Sequence, residues 1–219
     1  MLLSCAALFV FYNLIDYGGA RLGNSTPYKF ALVCITAATS VVYLVADNKP
    51  RGGSLLLTLA LLFTIAADVF LLVLDDHYEL GMVFFLLAQT FHFLRLYVLT
   101  GKRYAHLVIS LGARIGLGVG VWIVTAATGQ ATPLIVLTGF YAAGLLANAI
   151  EPLIFFIKRK ADRVGLMLLF VGFLLFIGCD VNVGLKFIGQ GDYRLIWLFY
   201  GPSQMLICLS GYRFYGKQS

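Results

Sequence analysis

Charge is what this sequence lacks most. Only 12% of its 219 residues are Asp, Glu, Lys or Arg, against about a quarter in soluble domains. With 61% hydrophobic residues and a mean hydropathy of +0.91, a soluble globular domain is excluded. No polar–apolar alternation runs through the chain, which excludes a membrane barrel and leaves helices, whose backbone groups are satisfied within each segment. The four cysteines, Cys5, Cys34, Cys179 and Cys208, all lie in apolar stretches and form no CxxC pair or Cys/His ligand spacing. Neither a disulfide framework nor a zinc site is indicated, and no metal or other cofactor is expected. Polar stretches long enough for a separate soluble domain are missing too, so residues 1–219 read as one transmembrane helical domain. The first apolar run, Leu2 to Leu14, has no basic leader and no small-residue cleavage site, and is expected to be a retained helix, not a signal peptide. The net charge of +6 does not suggest nucleic acid, because the basic residues fall between apolar runs and set topology instead.

What is present is a series of apolar runs. A spanning helix needs about 20 mostly apolar residues, and eight segments qualify, near 2–17, 27–46, 54–74, 79–99, 105–127, 132–157, 164–187 and 193–212. The expected fold is an all-α polytopic membrane protein with eight transmembrane helices. Lys49, Arg51, Arg95, Lys102, Arg103, Lys158, Arg159, Lys160, Arg163, Arg213 and Lys217 fall on one side. Only Arg21, Lys29, Lys186 and Arg194 fall on the other, where Asp75, Asp76 and Glu79 also lie. Both termini are therefore expected to be cytoplasmic.

Two segments carry a carboxylate deep inside: Asp68 in the third and Asp180 in the seventh. An ionisable group at the centre of a spanning helix costs about 2.5–3.5 kcal/mol on insertion scales, so such residues face the bundle interior and mark function. The surroundings repeat as well. LLFTIAADV (61–69) parallels FLLFIGCDV (173–181), and each segment is followed by one with a central glutamine, Gln89 or Gln204. A 4+4 internal duplication with a pseudo-twofold along the membrane normal accounts for this; chance similarity of apolar segments is the alternative. Both aspartates fall somewhat past the midplane at one level. If they meet, like charges in a low dielectric will not both ionise, and a protonated carboxyl beside an ionised one is an acid–base pair. Hydrogen bonding for packing alone is the other reading.

Supporting groups lie on the following segments. Gln89 and His92 share a face, with Arg95 one step further, and Trp197, Tyr200 and Gln204 form a stripe. Arg114, Asn148 and Glu151 are the remaining intramembrane polar groups; Arg114 either pairs with Glu151 or holds a lipid phosphate. Gly112, Gly116 and Gly120 form a small-residue stripe expected to let the fifth helix approach another closely.

Taken in order, these features resemble the YhhN-like lysoplasmalogenases, a family of eight-helix membrane proteins. The resemblance rests on Lys49-Pro50, the Asp68 segment, Gly81…Phe85…Ala88, Tyr141, GFLLFIGCD ending at Asp180, and Trp197…Tyr200…Gln204, across roughly 27–210. Ala67 and Cys179 stand where the family tends to have Gly and Ser, and Gln89-x-x-His92 replaces its usual His-x-x-Tyr, an exchange that bears on substrate preference. The resemblance implies hydrolysis of the vinyl-ether bond of a lysoplasmalogen to a fatty aldehyde and a glycerophospho-ethanolamine or -choline, with Asp68 and Asp180 as the acid–base pair and neither role assigned to either one. It implies substrate contacts from Lys49, Gln89, His92, Arg114, Tyr141, Tyr200 and Gln204, with Lys49 or Arg114 on the phosphate and the single chain in a bundle cavity open to lipid. The expected setting is a bacterial inner membrane or a eukaryotic endomembrane, with membrane lipid and lysophospholipid as partners and room for a homodimer. Paired intramembrane acids also suit a proton-coupled transporter of a small or lipid-like solute, and a non-catalytic scaffold is the third reading.

Overall fold

The computed structural model describes residues 1–18, 23–46, 52–99, 101, 104–158 and 163–212. All regular structure among them is helical: α1 (Leu2–Gly18), α2 (Thr26–Ala46), α3 (Gly52–Asp68, continued as a π-helical turn Val69–Leu74), α4 (Tyr78–Leu99), α5 (Tyr104–Ala127), α6 (Pro133–Lys158), α7 (Arg163–Phe187) and α8 (Tyr193–Leu209). Six of them, α2 to α7, are long and apolar enough to cross a membrane. The other two, α1 and α8, are 17 residues each.

Local chemistry sets the helix ends. Gly129 (φ +70°) and Gly189 (φ +77°) terminate α5 and α7 in the left-handed region that glycine adopts freely. The following residues turn back, Gln130 N–H to the Thr125 carbonyl and Gln190 N–H to the Leu185 carbonyl, both at 2.8 Å, which closes the last carbonyls of each helix. Pro133 opens α6 at the position where a missing N–H costs nothing. The Asp192 carboxylate accepts from Arg194 N–H at 2.9 Å and caps α8.

Six helices close into a ring in the order α2, α3, α4, α6, α7, α8 and back to α2; α1 lies against α2 and α8, and α5 against α6. The end bearing the α3–α4, α5–α6 and α7–α8 connections is termed upper here, the opposite end lower. In this ring α3 and α7 stand opposite one another, as do α4 and α8. Leu32, Val33, Leu57, Leu61, Leu169, Phe173 and Ile207 are almost completely buried and form the apolar core.

Helix α5 docks differently from expectation. A side chain added at Gly112, Gly116 or Gly120 would meet nothing within 4 Å, whereas one at Gly118 would fall 2.2 Å from Phe140 and one at Gly139 would fall 2.6 Å from Val121. The close approach of α5 to α6 runs through Gly118 and Gly139, and the regular glycine stripe faces outward. Spacing alone does not say which face meets a neighbour.

Candidate active site

Asp68 is the last residue of α3 before its π-turn, and Asp180 lies in the final third of α7. Both therefore fall near the upper end, at similar depth. Asp68 is buried and Asp180 half-buried. They are not hydrogen-bonded to each other. Each accepts instead from a tyrosine: Tyr200 on α8 donates to Asp68 Oδ2 at 2.7 Å, and Tyr141 on α6 donates to Asp180 Oδ2 at 2.7 Å. One ring separates the two tyrosines. Phe176 packs edge-on to Tyr200 (centroids 5.3 Å) and to Tyr141 (6.5 Å), and Phe85 closes the cluster at 5.6 Å from Tyr141. Trp197 extends it from the other side, 5.1 Å from Tyr200. Two carboxyl groups across the bundle axis are thus joined through an aromatic layer.

The π-turn beginning at Val69 follows Asp68 directly, and the chain then reverses through Asp75 (φ 50°) and His77 (φ 52°), left-handed conformations that non-glycine residues adopt at a cost. π-Turns inside helices concentrate at functional sites. A six-residue change of winding leaves no periodic signal in an all-apolar sequence, and the turn was not legible there.

The next layer toward the lower end is polar. Asn148 on α6 donates to the Gln89 side-chain carbonyl at 2.8 Å and to its backbone carbonyl at 2.9 Å. Gln204 on α8 is almost wholly buried, and its amide nitrogen has no partner among the described residues. His92 sits edge-on to Phe173 (5.2 Å), and its buried Nδ1 has no partner among the described residues.

Arg114 is tied into this layer from outside. Its guanidinium pairs with Glu151 at 2.6 Å, donates to Asn148 Oδ1 at 2.7 Å and to the Ser110 hydroxyl, and stacks over Phe93 at 4.2 Å. Ser110 in turn donates to Glu151. Of the two readings open for Arg114, the ion pair with Glu151 is the one present. Arg95 is buried and donates to the Ser210 hydroxyl and carbonyl, each at 2.8 Å, which fastens α4 to the end of α8. Lys49, the other phosphate candidate, lies outside the described residues.

A second buried charge pair, Asp16–Lys29 at 2.7 Å, joins α1 to the start of α2, at a lysine that the sequence uses only to orient the bundle. Lys29 is fully buried, with its ammonium 4.3 Å from the Tyr193 ring centre, 5.2 Å from Trp197 and 5.7 Å from Tyr12. Its position in the first turn of an apolar helix, soon after an acid in the last turn of the preceding one, was the available signal. Phe176 was likewise detectable as the residue one turn before Asp180 on the same face.

Two apolar grooves open on the outer surface. One, of about 670 Å³, runs between α1 and α8 past Phe9, Asn13 and Leu198; the other, of about 330 Å³, lies along α7 past Val164, Met167 and Leu206. Both lie apart from the aspartate layer.

Comparison with known proteins adds one match: a family model described as the YhhN family aligns with residues 25–211. No curated protein and no solved structure matches the chain.

Proposed function

The chain belongs to the YhhN family, and from that premise we propose that it is a membrane hydrolase cleaving the vinyl-ether bond of a lysoplasmalogen with Asp68 and Asp180. The observation that carries this reading is the pairing of two carboxyls at one level of the bundle, each oriented by a tyrosine hydroxyl, on either side of an aromatic layer.

The chemistry balances with these groups. One carboxyl, protonated, gives its proton to the β-carbon of the enol ether, and the double-bond electrons form the new C–H bond. The resulting oxocarbenium ion carries positive charge, which an ionised carboxylate and the faces of Phe176, Tyr141 and Tyr200 stabilise. Water adds to the cationic carbon as the second carboxylate takes its proton. The hemiacetal collapses when that carboxyl returns the proton to the glycerol oxygen and the first carboxylate accepts the hemiacetal hydroxyl proton. The C–O bond breaks, fatty aldehyde and glycerophospholipid headgroup leave, and both carboxyls regain their starting states. In this reading the tyrosines hold the carboxyl oxygens in place.

The same reading takes all eight helices as spanning. Seventeen residues rise about 26 Å, at the lower limit for a crossing helix. The neighbour order also supports the duplication: the contacts α1–α2, α2–α3, α3–α4 and α4–α6 recur, shifted by four helices, as α5–α6, α6–α7, α7–α8 and α8–α2. With the basic connections at the lower end, both termini are cytoplasmic and the aspartate layer is nearer the opposite face.

The test is mass-spectrometric detection of fatty aldehyde from lysoplasmenyl-ethanolamine with purified wild type, Asp68→Asn and Asp180→Asn. Release by wild type and its loss in both folded variants is expected. Full turnover by Asp68→Asn would overturn the mechanism. No release by wild type across headgroups and pH would return the choice to the proton-coupled carrier, for which uptake driven by a pH gradient in proteoliposomes is the readout.

A further inference from the structure

The upper rim of the bundle carries charges that the aspartate chemistry does not use. Tyr193, the first residue of α8, has two ammonium groups on its ring: Lys29 at 4.3 Å and Lys186 at 4.7 Å from the centroid. Lys29 is neutralised by Asp16 at 2.7 Å, and the other Asp16 oxygen accepts from Ser25 at 2.5 Å, so that carboxylate is fully occupied. Lys186 is exposed, and among the described residues the Tyr193 ring is its only partner. A ring quadrupole attracts a cation but supplies no counter-charge. With Lys29 matched by Asp16, Lys186 is the cation on that ring left without a carboxylate partner among the described residues.

Its position matters. Lys186 is six residues beyond Asp180 on the same helix, a rise of about 9 Å. From the other side, Trp197 links the Lys29 cage (5.2 Å) to Tyr200 (5.1 Å), which holds Asp68. The rim thus sits one layer above both carboxyls. In a lysoplasmalogen the phosphorus lies six bonds from the ether carbon that becomes cationic, roughly 7–8 Å when extended, since each bond of about 1.5 Å advances a zigzag chain by about 1.25 Å. At the same end of the bundle, the Asp75 carboxylate accepts from the Tyr78 hydroxyl at 2.9 Å. The rim therefore presents both signs of charge, as a phosphate joined to an ammonium requires.

We propose that Lys186, poised over Tyr193 with Lys29 behind it, binds the phosphate of the lysophospholipid and thereby sets the alkenyl ether at the Asp68–Asp180 layer. This deepens the hydrolase reading and rests on it. It also moves the phosphate away from Arg114, which is committed to Glu151, Asn148 and Ser110 in a lower layer.

The test separates binding from turnover. Purified full-length protein in detergent is titrated calorimetrically with 1-alkyl-glycerophosphoethanolamine, which has no double bond to cleave, with 1-alkylglycerol, which has no phosphate, and with inorganic phosphate. The wild type should bind the phospholipid more tightly than the alkylglycerol, and Lys186→Gln should weaken phospholipid binding about tenfold or more, as loss of one charge-assisted contact does. Lys186→Arg should retain the preference, and alkylglycerol affinity, which involves no contact with the lysine, is the internal control. Unchanged phospholipid affinity in Lys186→Gln, or an equal loss for both lipids, overturns the proposal. Binding of inorganic phosphate at Lys186 without any phospholipid preference overturns it too, since the site would then be for free anion. A preference that depends on Lys186 in a protein that releases no aldehyde leaves the phosphate site standing and removes only the hydrolase.

Discussion

Tyr200→Phe is the sharpest probe of the site, because it deletes a single oxygen. The ring keeps its edge contacts with Phe176 (5.3 Å) and Trp197 (5.1 Å), so packing is preserved. What is lost is the 2.7 Å bond to Asp68, whose side chain is only 4% exposed and has no other hydrogen-bond partner among the described residues. If Asp68 is the ionised member of the pair, a hydrogen bond to a charged group contributes about 1.5–3 kcal/mol, and water cannot readily replace it at that depth. At roughly 2–4 °C per kcal/mol for a chain of this size, thermal unfolding in detergent should fall by roughly 3–12 °C. If Tyr200 also fixes Asp68 for proton transfer, turnover should fall about 10- to 100-fold, the rate equivalent of the same energy. Tyr141→Phe should cost less stability, because Asp180 is only half-buried. The decisive comparison is a double-mutant cycle measured by thermal unfolding: in an Asp68→Asn background, Tyr200→Phe should cost far less, giving a coupling energy of about 1.5–3 kcal/mol. Strictly additive effects, or a Tyr200→Phe protein that unfolds and turns over like wild type, would refute the claim that the tyrosine acts through the carboxylate.

Two further outcomes test the surrounding structure. Arg114→Met and Glu151→Gln each strand one member of a buried ion pair, with side chains 11% and 9% exposed. Each should destabilise by about 3–5 kcal/mol in thermal unfolding, while the double variant recovers part of the loss. A rise in KM for phospholipid with unchanged stability in Arg114→Met would instead restore Arg114 as a phosphate ligand. In α5, Gly118→Ala should destabilise by about 1–3 kcal/mol because its added carbon falls against Phe140. By the same thermal assay Gly116→Ala should be neutral or stabilising by about 0.5–1 kcal/mol, since it gains helix propensity in open space. The reverse order would mean that the outward stripe is the packed face.

Much of the framework was legible because membrane insertion imposes a crude rule. Each long apolar run needs a helix, and the runs at 54–74 and 164–187 became α3 with its π-turn and α7 within a residue or two. The aspartates stood out for the same reason: in a segment with no other charge, a single carboxylate is visible without any knowledge of its neighbours. The Asp16–Lys29 pair was not legible because Lys29 lies only three residues into its apolar helix, where a charge also suits the membrane surface.

By itself, then, the sequence determined the all-helical class, the position of each helix along the chain, and the two residues whose burial demands an explanation. Hydropathy and helix length are local properties, and these conclusions needed nothing else. Which helices touch is not local. Only the tertiary structure decided that α3 and α7 stand opposite in the ring, so that each aspartate meets a tyrosine from another helix instead of its twin. It likewise turned Gly118 rather than the regular glycine stripe toward α6, closed Arg114 onto Glu151, and brought Lys29 and Lys186, from distant helices, onto the ring of Tyr193. Every apolar face of such a helix is equally content in lipid, so packing between helices is decided by shape and by the few polar side chains that must find partners.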